Sequence, residues 1–495
     1  MNENKNSTKY IIFYSTILVL SSLLFAVNMQ FNNSFKSTTI ESIIYNLISL
    51  DSLEAAVESF SNVIIKFTYH FVIVLCVSLI PLIACFFFNR EIRVNIFKKK
   101  ILLFPLSFKN WSLFLLGVSL AMLIFSLHIP RFIFNNITYS DFYEKNYVEY
   151  DSDMVKFPKE KRNLITIYVE SFENSVFSLE NGGANKISYM PLMEELSSKY
   201  INFSNTDKIG GAYEVRGTSW TASALVAETA GVPIFLKTNN DKDKFLDGAV
   251  SLGEVLEDNG YKNYFLMGSD ANFGKRNSYF TEHGSYDITD YFKAKKDRLI
   301  HESYYTWWGF EDKKLYSFAK RILSRISQSG APFNFSMLTV DTHFYDGYVD
   351  ESCPKKFDEQ YANSYYCADI MLVEFIEWIQ KQKFYEDTTI VIVGDHLTMR
   401  DNFFDNPKGQ ERVIYNLFIN SSADTENIKN REFSSFDIYP TTLAALGATI
   451  DGNRLALGTN LFSDEDTLIE KYGLDYVNKM VSKKSRYYNK NILKD

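Results

Sequence analysis

Three apolar runs in the second half of the sequence stop at residues able to hold a cation. NLITIYVES ends in Glu170, FNFSMLTVDTH in Asp341 and His343, and TTIVIVGDH in Asp395 and His396. Only six histidines occur in the chain, and His70 and His128 fall in long apolar stretches, so two of the remaining four directly after such runs are informative. Carboxylate oxygens with an imidazole nitrogen suit one divalent ion, with manganese, zinc and magnesium all open. Such an ion polarises a phosphoryl oxygen and lowers the pKa of a nearby hydroxyl. A hydroxyl nucleophile is therefore expected close by. The segment GGAYEVRGTSWTASALVAETAGVP crowds Thr218, Ser219 and Thr221 at a helix start, where free backbone N–H groups and the helix dipole favour anions. Ordinary capping also places Ser and Thr there.

These residues must be carried by alternating strands and helices. From about Asn163, short apolar strands alternate with amphipathic helices, which predicts an α/β fold with a mostly parallel central sheet flanked by helices. Strands are expected at Leu164 to Val169, Asn263 to Met267, Phe333 to Thr339, Thr389 to Val393 and Ile414 to Ile419. Helices are expected at Met190 to Lys199, Thr221 to Ala230, Leu252 to Asn259, Lys313 to Ser327, Tyr361 to Lys381 and Ser435 to Leu446. In such sheets, ligands bind beyond the carboxyl ends of the strands. Asp437 and Pro440 read as helix-start devices.

The order VES, GTSWTAS followed by AGVP, LTVDTH and VGDH resembles the phosphoglycerol transferases and, more distantly, the lipoteichoic acid synthases, of the sulfatase-like branch of the alkaline phosphatase superfamily. The likeness covers roughly Asn163 to Leu446. It implies one metal ion, manganese first, held by Glu170, Thr221, Asp395 and His396, with Thr221 as the nucleophile that becomes covalently modified. It also implies substrate contacts from His343, from Arg276 or Lys275 in FGKRNSYFTEHG, and from Trp308 in YYTWWGFED. Sulfatases proper need a Cys or Ser followed by Pro and Arg in register; Thr221 is followed by ASAL, so formylglycine chemistry is disfavoured. The implied activity moves phosphoglycerol from phosphatidylglycerol to an extracytoplasmic glycan or polymer through the threonine. A phosphoethanolamine transferase acting on lipid A or a glycan is the nearest alternative; a non-catalytic membrane module of the same fold is another.

The first 135 residues read as a membrane region with three spanning helices, about 10–27, 67–88 and 111–129, since about 20 apolar residues cross a bilayer. Arg90, Arg93, Lys98, Lys99, Lys100 and Lys109 mark the loop between the second and third as cytoplasmic. Ile40 to Leu53 reads as an amphipathic helix at the membrane surface. The expected organisation is then a linker over 136–162, a catalytic domain over 163–465 outside the cytoplasm and a C-terminal tail over 466–495, in a multi-pass protein of the plasma (inner) membrane. Cys353 and Cys367 fall in the exported part, where a disulfide can form. A net charge of −8 without a basic stripe argues against nucleic acid as a partner.

Overall fold

The computed structural model describes residues 2–34, 40–48, 61–87, 92–96, 99–104, 108–235, 245–400, 403–404 and 410–494. The chain forms two compact units, Met1–Ile40 with Leu53–Phe134, and Glu41–Ser52 with Asn135–Asp495.

In the first unit, α1 (Asn2–Ser34), α3 (Ser61–Phe87) and α4 (Phe108–Ser126) are the long apolar helices. Lys9–Asn32 and Phe108–Ser126 are long and apolar enough to cross a membrane; the apolar part of α3 among the described residues is Ile65–Pro81. Ile11, Phe13, Ile65, Val77, Phe114 and Phe125 are exposed on their surfaces, as lipid contact requires. Hydrogen bonds link the helices: Ser22 lies 3.3 Å from Ser78, Ser126 donates to Asn28, and Trp111 donates to the Ser78 carbonyl. The helix of the third apolar run ends at Ser126, short of the expected Ile129, because His128 takes a left-handed conformation at φ 51°. A hairpin of Ile92–Ile96 and Lys99–Phe104 lies in the basic loop; Arg90 and Lys98 lie outside the described residues.

The second unit is built on a seven-stranded sheet. Its strands are β1 (Asn163–Val169), β2 (Gly211–Ala212), β3 (Lys262–Met267), β4 (Asp287–Thr289), β5 (Phe333–Leu338), β6 (Thr388–Gly394) and β7 (Ile414–Ile419), in the order β2-β7-β6-β1-β5-β3-β4. The pairings β6-β1, β1-β5, β5-β3 and β3-β4 are parallel; β7 runs antiparallel to β6 and β2. The mostly parallel sheet expected from the alternation is thus present, with an antiparallel edge. Strands buried on both faces need continuous apolar runs. Alternate residues of β1 serve two cores accordingly, Leu164 and Tyr168 on one face, Ile165, Ile167 and Val169 on the other. The first core takes in α5 (Thr221–Ala230) and α9 (Ser435–Ala445), the second α7 (Asp312–Ile326) and α8 (Gln360–Gln380).

Parallel register fixes the site. Tyr168 pairs with both Leu338 and Val393, and Val169 with Gly394. The residues after β1, β5 and β6 therefore leave the sheet at one level. The backbone after β1 crosses β6 so closely that a Cβ on Gly394 would lie 1.8 Å from the Phe172 carbonyl oxygen, which demands glycine there.

Segments outside the motifs are well packed. Phe142 and Tyr143, in the stretch read as a linker, are buried in the first core, and Val155–Lys156 pairs with Thr449–Ile450. The stretch read as a tail forms helices Leu468–Tyr472 and Leu474–Val481, whose Leu468, Ile469, Val477 and Val481 join the same core. The amphipathic helix forms as α2 (Ile40–Ile48), and its Tyr45 is buried in the second unit's core. Residues 49–53 of that stretch lie outside the described residues. Cys353 and Cys367 form a disulfide. Asp437 accepts from the Ser434 N–H at 2.8 Å and closes a capping box on α9, the helix-start role expected of it, whereas Pro440 lies inside the helix and not at its start.

Candidate active site and metal centre

Glu170, Asp395 and His396 each offer a ligand atom within 4.8 Å of the others, and all three are buried. Glu170 leaves β1 just before Ser171, a non-glycine residue at φ 54° whose N–H donates to Asp395 Oδ1 at 2.8 Å. The His396 N–H donates to the same oxygen at 2.8 Å. Asp395 Oδ1 is thereby fixed, while Oδ2 is buried without a hydrogen-bond partner among the described residues. Ser171 Oγ donates to Glu170 Oε1 at 2.7 Å. His396 Nδ1 lies 2.9 Å from the Leu397 carbonyl, so Nδ1 donates there and Nε2 is the nitrogen turned to the carboxylates, where a cation would take the place of its proton. That Nε2 lies 3.3 Å from Asp395 Oδ2 and 3.6 Å from Glu170 Oε1.

A buried, bare carboxylate oxygen beside a second carboxylate and an imidazole lone pair is the donor set a divalent cation needs. The electrostatics agree. Burial, then the Glu170 charge, pushes Asp395 up to about 6. Burial works against a charged His396, yet Asp395 and Glu170 outweigh it and raise the imidazole to about 9. The pocket attracts positive charge, and the residues present fit a metal ion.

Among the three candidate hydroxyls, Thr221 is the one placed at this centre. Its Oγ1 lies 3.4 Å from His396 Nε2, at the first residue of α5. Thr218 is buried in a turn, where its Oγ1 donates to the Val215 carbonyl at 2.7 Å and accepts from the Val215 N–H. Ser219 Oγ has no partner among the described residues, and no bond links it to the acidic centre. Ser223 caps the helix start by accepting from the Trp220 N–H at 3.3 Å while it donates to the Trp220 carbonyl, which leaves Thr221 uncommitted to capping.

Arg276 and Lys275 separate clearly. Lys275 is half-buried in a left-handed conformation that starts α6 (Arg276–Glu282). Arg276 is buried; Nε donates to the Phe273 carbonyl, and Nη2 to Ser269 Oγ and the Asp270 carbonyl. Among the described residues its Nη1 makes no hydrogen bond. Burial lowers its pKa, against which Asp270, Glu170, Asp290 and Asp395 hold the guanidinium charged. Two of those carboxylates belong to the acidic centre. His343 follows β5 with its ring 4.7 Å from that of Trp308. Burial presses its imidazole down to about 4, so it stands neutral at physiological pH, with Nδ1 2.6 Å from the Phe344 carbonyl and Nε2 available.

Asp341 stands apart from the centre. Asp312, at the first turn of α7, accepts from the Val340 and Asp341 N–H groups at 2.8 and 3.0 Å, and Asp341 Oδ2 accepts from the Asp312 N–H at 3.2 Å. This carboxylate pair staples the loop that carries His343, and Thr342 ties it to the Glu170 carbonyl. Burial pushes Asp312 up to about 7, and burial with the neighbouring Asp312 charge pushes Asp341 well up too. Sequence reasoning missed Asp312; its one signal is an acidic residue in a helix's first turn, common to many helices. Because both folded pKa values are raised, the folded chain holds more protons than the unfolded one, and stability falls as pH rises from about 4 towards 8. Asp341→Asn removes one ionisation. It should gain on the native chain by ~1–3 kcal/mol between about pH 5 and pH 8 in denaturant melts.

Fold and site together define an α/β domain with a buried acidic cluster, of a composition that suits a metal ion, facing a helix-start hydroxyl. A model of the Sulfatase family matches residues 162–448, more than half of the 495-residue chain, and the chain belongs to that family. The span is nearly that of the motif resemblance. Phosphoglycerol transferase I of Xanthomonas campestris pv. campestris (strain B100) is 26% identical over 299 residues, 58% of this chain and 41% of that protein. Phosphoglycerol transferase I of Salmonella choleraesuis (strain SC-B67) is 27% identical over 328 residues, 64% of this chain and 41% of that protein. The chain thus spans 41% of the length of these curated relatives. Among solved structures, the lipoteichoic acid synthase LtaP from Listeria monocytogenes shares the fold at a TM-score of 0.50 and 19% identity, over 65% of this chain and 80% of that one.

Proposed function

We propose that this chain is a membrane-anchored phosphotransferase that moves phosphoglycerol from phosphatidylglycerol to an extracytoplasmic glycan or polymer, with Thr221 as the covalent carrier. The observation that carries the reading is the approach of Thr221 Oγ1 to His396 Nε2 at the rim of the Glu170, Asp395 and His396 cluster. The similarity to proteins named phosphoglycerol transferase supports the group transferred. Glu170, Thr221, Asp395 and His396 would hold one divalent ion, manganese first. When bound, the ion supplies Lewis acidity to a phosphoryl oxygen and lowers the pKa of the threonine hydroxyl.

In the first step, Thr221 Oγ forms a bond to phosphorus as the bond from phosphorus to the diacylglycerol oxygen breaks. That oxygen leaves as diacylglycerol after taking up a proton. In the second, an acceptor hydroxyl attacks the same phosphorus, the bond to Thr221 Oγ breaks, and the threonine regains its proton. Division into two displacements lowers each barrier. Arg276 Nη1 serves as a donor to the phosphoryl oxygens, and neutral His343 Nε2 as an acceptor for a glycerol hydroxyl, both fixed before the charge develops. Apolar helices of membrane-spanning length keep the domain near a lipid donor. The Cys353–Cys367 disulfide supports placement of the domain outside the cytoplasm. The proposed location is the plasma (inner) membrane, multi-pass.

The test is donor choice. Full-length chain in mixed micelles is given phosphatidylglycerol or phosphatidylethanolamine, each labelled in the head group, and tryptic peptides are analysed by mass spectrometry. Phosphoglycerol on the Thr221 peptide is expected, with phosphatidylglycerol preferred by at least about tenfold. Phosphoethanolamine on that peptide would assign the alternative donor, and no adduct with either lipid would sink the covalent reading.

A further inference from the structure

A residue far from every motif sits against two of the segments that build this site. Tyr45 belongs to α2, in the stretch of sequence between the first two apolar runs. It is 4% exposed, and its hydroxyl donates to the Gly274 carbonyl at 2.8 Å. Its ring lies 5.3 Å from that of Trp220, the residue before Thr221. One turn earlier on α2, Glu41 faces Arg216 at 3.7 Å, with both side chains largely shielded from solvent. An isolated nine-residue helix is marginal in water. Tertiary contacts of this kind must hold it.

The two segments are themselves in contact. A Cβ on Gly274 would lie 3.1 Å from that of Ala222, the residue after Thr221. Gly274 and Lys275 are consecutive left-handed residues, at φ 65° and 59°, immediately before Arg276. Glycine adopts this conformation freely, but Lys275 keeps it only where surrounding contacts fix the turn. The Tyr45 hydroxyl bonds to the first of the two residues. Burial raises the Tyr45 pKa while the Arg276 charge draws it back, which agrees with a short distance between the two groups.

We propose that Tyr45 is a positioning residue for the reaction: it wedges between Trp220 and Gly274 and holds the nucleophile's helix start and the turn before Arg276 in one register. The helix between the first two apolar runs would then complete the active site without touching substrate. The proposal rests on the assignment of Thr221 and Arg276 to phosphoryl transfer, but its contact geometry does not depend on which lipid is the donor. Misplacement of reacting groups by about an ångström costs roughly 10²-fold in rate. Loss of the wedge should therefore appear in kcat far more than in KM.

The experiment uses full-length chain in detergent, as native protein, Tyr45→Ala and Tyr45→Phe, read by backbone hydrogen exchange and by turnover of labelled phosphatidylglycerol. Tyr45→Ala should speed exchange at least about tenfold in 217–223 and 272–278 while the central strands keep their native protection. It should lower kcat by about 10–100-fold with KM within about threefold. Tyr45→Phe keeps the ring and loses the hydroxyl, so faster exchange should be confined to 272–278, with most of kcat restored. Native exchange at 272–278 in both variants would overturn the proposal, as would full kcat in Tyr45→Ala. If Tyr45→Ala does not fold, Tyr45→Phe decides by the same exchange readout. If the native chain turns over no phosphatidylglycerol, the donor reading fails, and the exchange pattern alone supports or sinks the wedge.

Discussion

Thr221→Ala should leave a folded, membrane-bound chain that transfers nothing. Turnover is expected to fall by at least about 10³-fold, because removal of a covalent nucleophile costs far more than loss of a binding contact. The geometry makes the effect specific. Thr221 is half-buried, its hydroxyl faces His396 Nε2, and capping of its helix falls to Ser223. Loss of Oγ1 therefore breaks no hydrogen bond on which α5 depends, and the melting temperature should stay near native. Thr221→Ser keeps an oxygen on the same Cβ and should retain measurable transfer, with the adduct moved to serine. Ser219→Ala serves as the control, since its hydroxyl has no partner among the described residues, and it should stay within about threefold of native turnover. Thr218 is a poorer control: its hydroxyl ties the Val215 turn together, and Thr218→Ala would disturb the approach to Thr221 indirectly. Native turnover in Thr221→Ala would remove the covalent mechanism.

Much of this arrangement was legible in the sequence. The five central strands are apolar runs bounded by turn residues, and a parallel sheet covered on both faces can be made of little else. Thr221 was readable as a helix start because a glycine-rich, hydroxyl-rich stretch gives way there to good helix formers. Glu170, Asp395 and His396 were readable as strand-end residues, but their convergence was not. Ser171 and Asp395 are 224 residues apart and meet only because β1 and β6 pair in parallel with Val169 opposite Gly394. The motif resemblance supplied that link. Asp341 shows the limit from the other side: a strand-end carboxylate of the right type turned instead to Asp312, whose partnership no local pattern encodes. The short edge strands β2 and β4 hold two and three residues, too few for a period to register. Tyr45 was readable as part of an amphipathic helix, yet its partner Gly274 lies 229 residues further on. Contacts of that kind come from tertiary structure alone.

Chelation should be as damaging as loss of the threonine. Purified chain is expected to hold close to one divalent ion, and stripping it should lower turnover by at least about 10³-fold, with recovery on addition of manganese. His396→Ala tests the same point from the protein side. Its Nε2 stands beside two buried carboxylates, and without it Glu170 and Asp395 face each other across the gap. Like charges so close and so buried relieve themselves by taking up a proton, which removes a second ligand from the set. The variant should therefore lose both stoichiometric metal, measured by elemental analysis, and transfer, while its far-ultraviolet dichroism stays native. Asp395→Asn leaves a neutral acceptor for the Ser171 and His396 N–H groups, so the turn survives while the charge at Oδ2 is gone. Weak metal binding that high manganese concentration partly rescues is expected from it. Full metal content in His396→Ala would mean that the ion is held elsewhere. Full turnover in the stripped native chain would instead mean that Thr221 attacks without an ion, its proton passing to a neighbouring group.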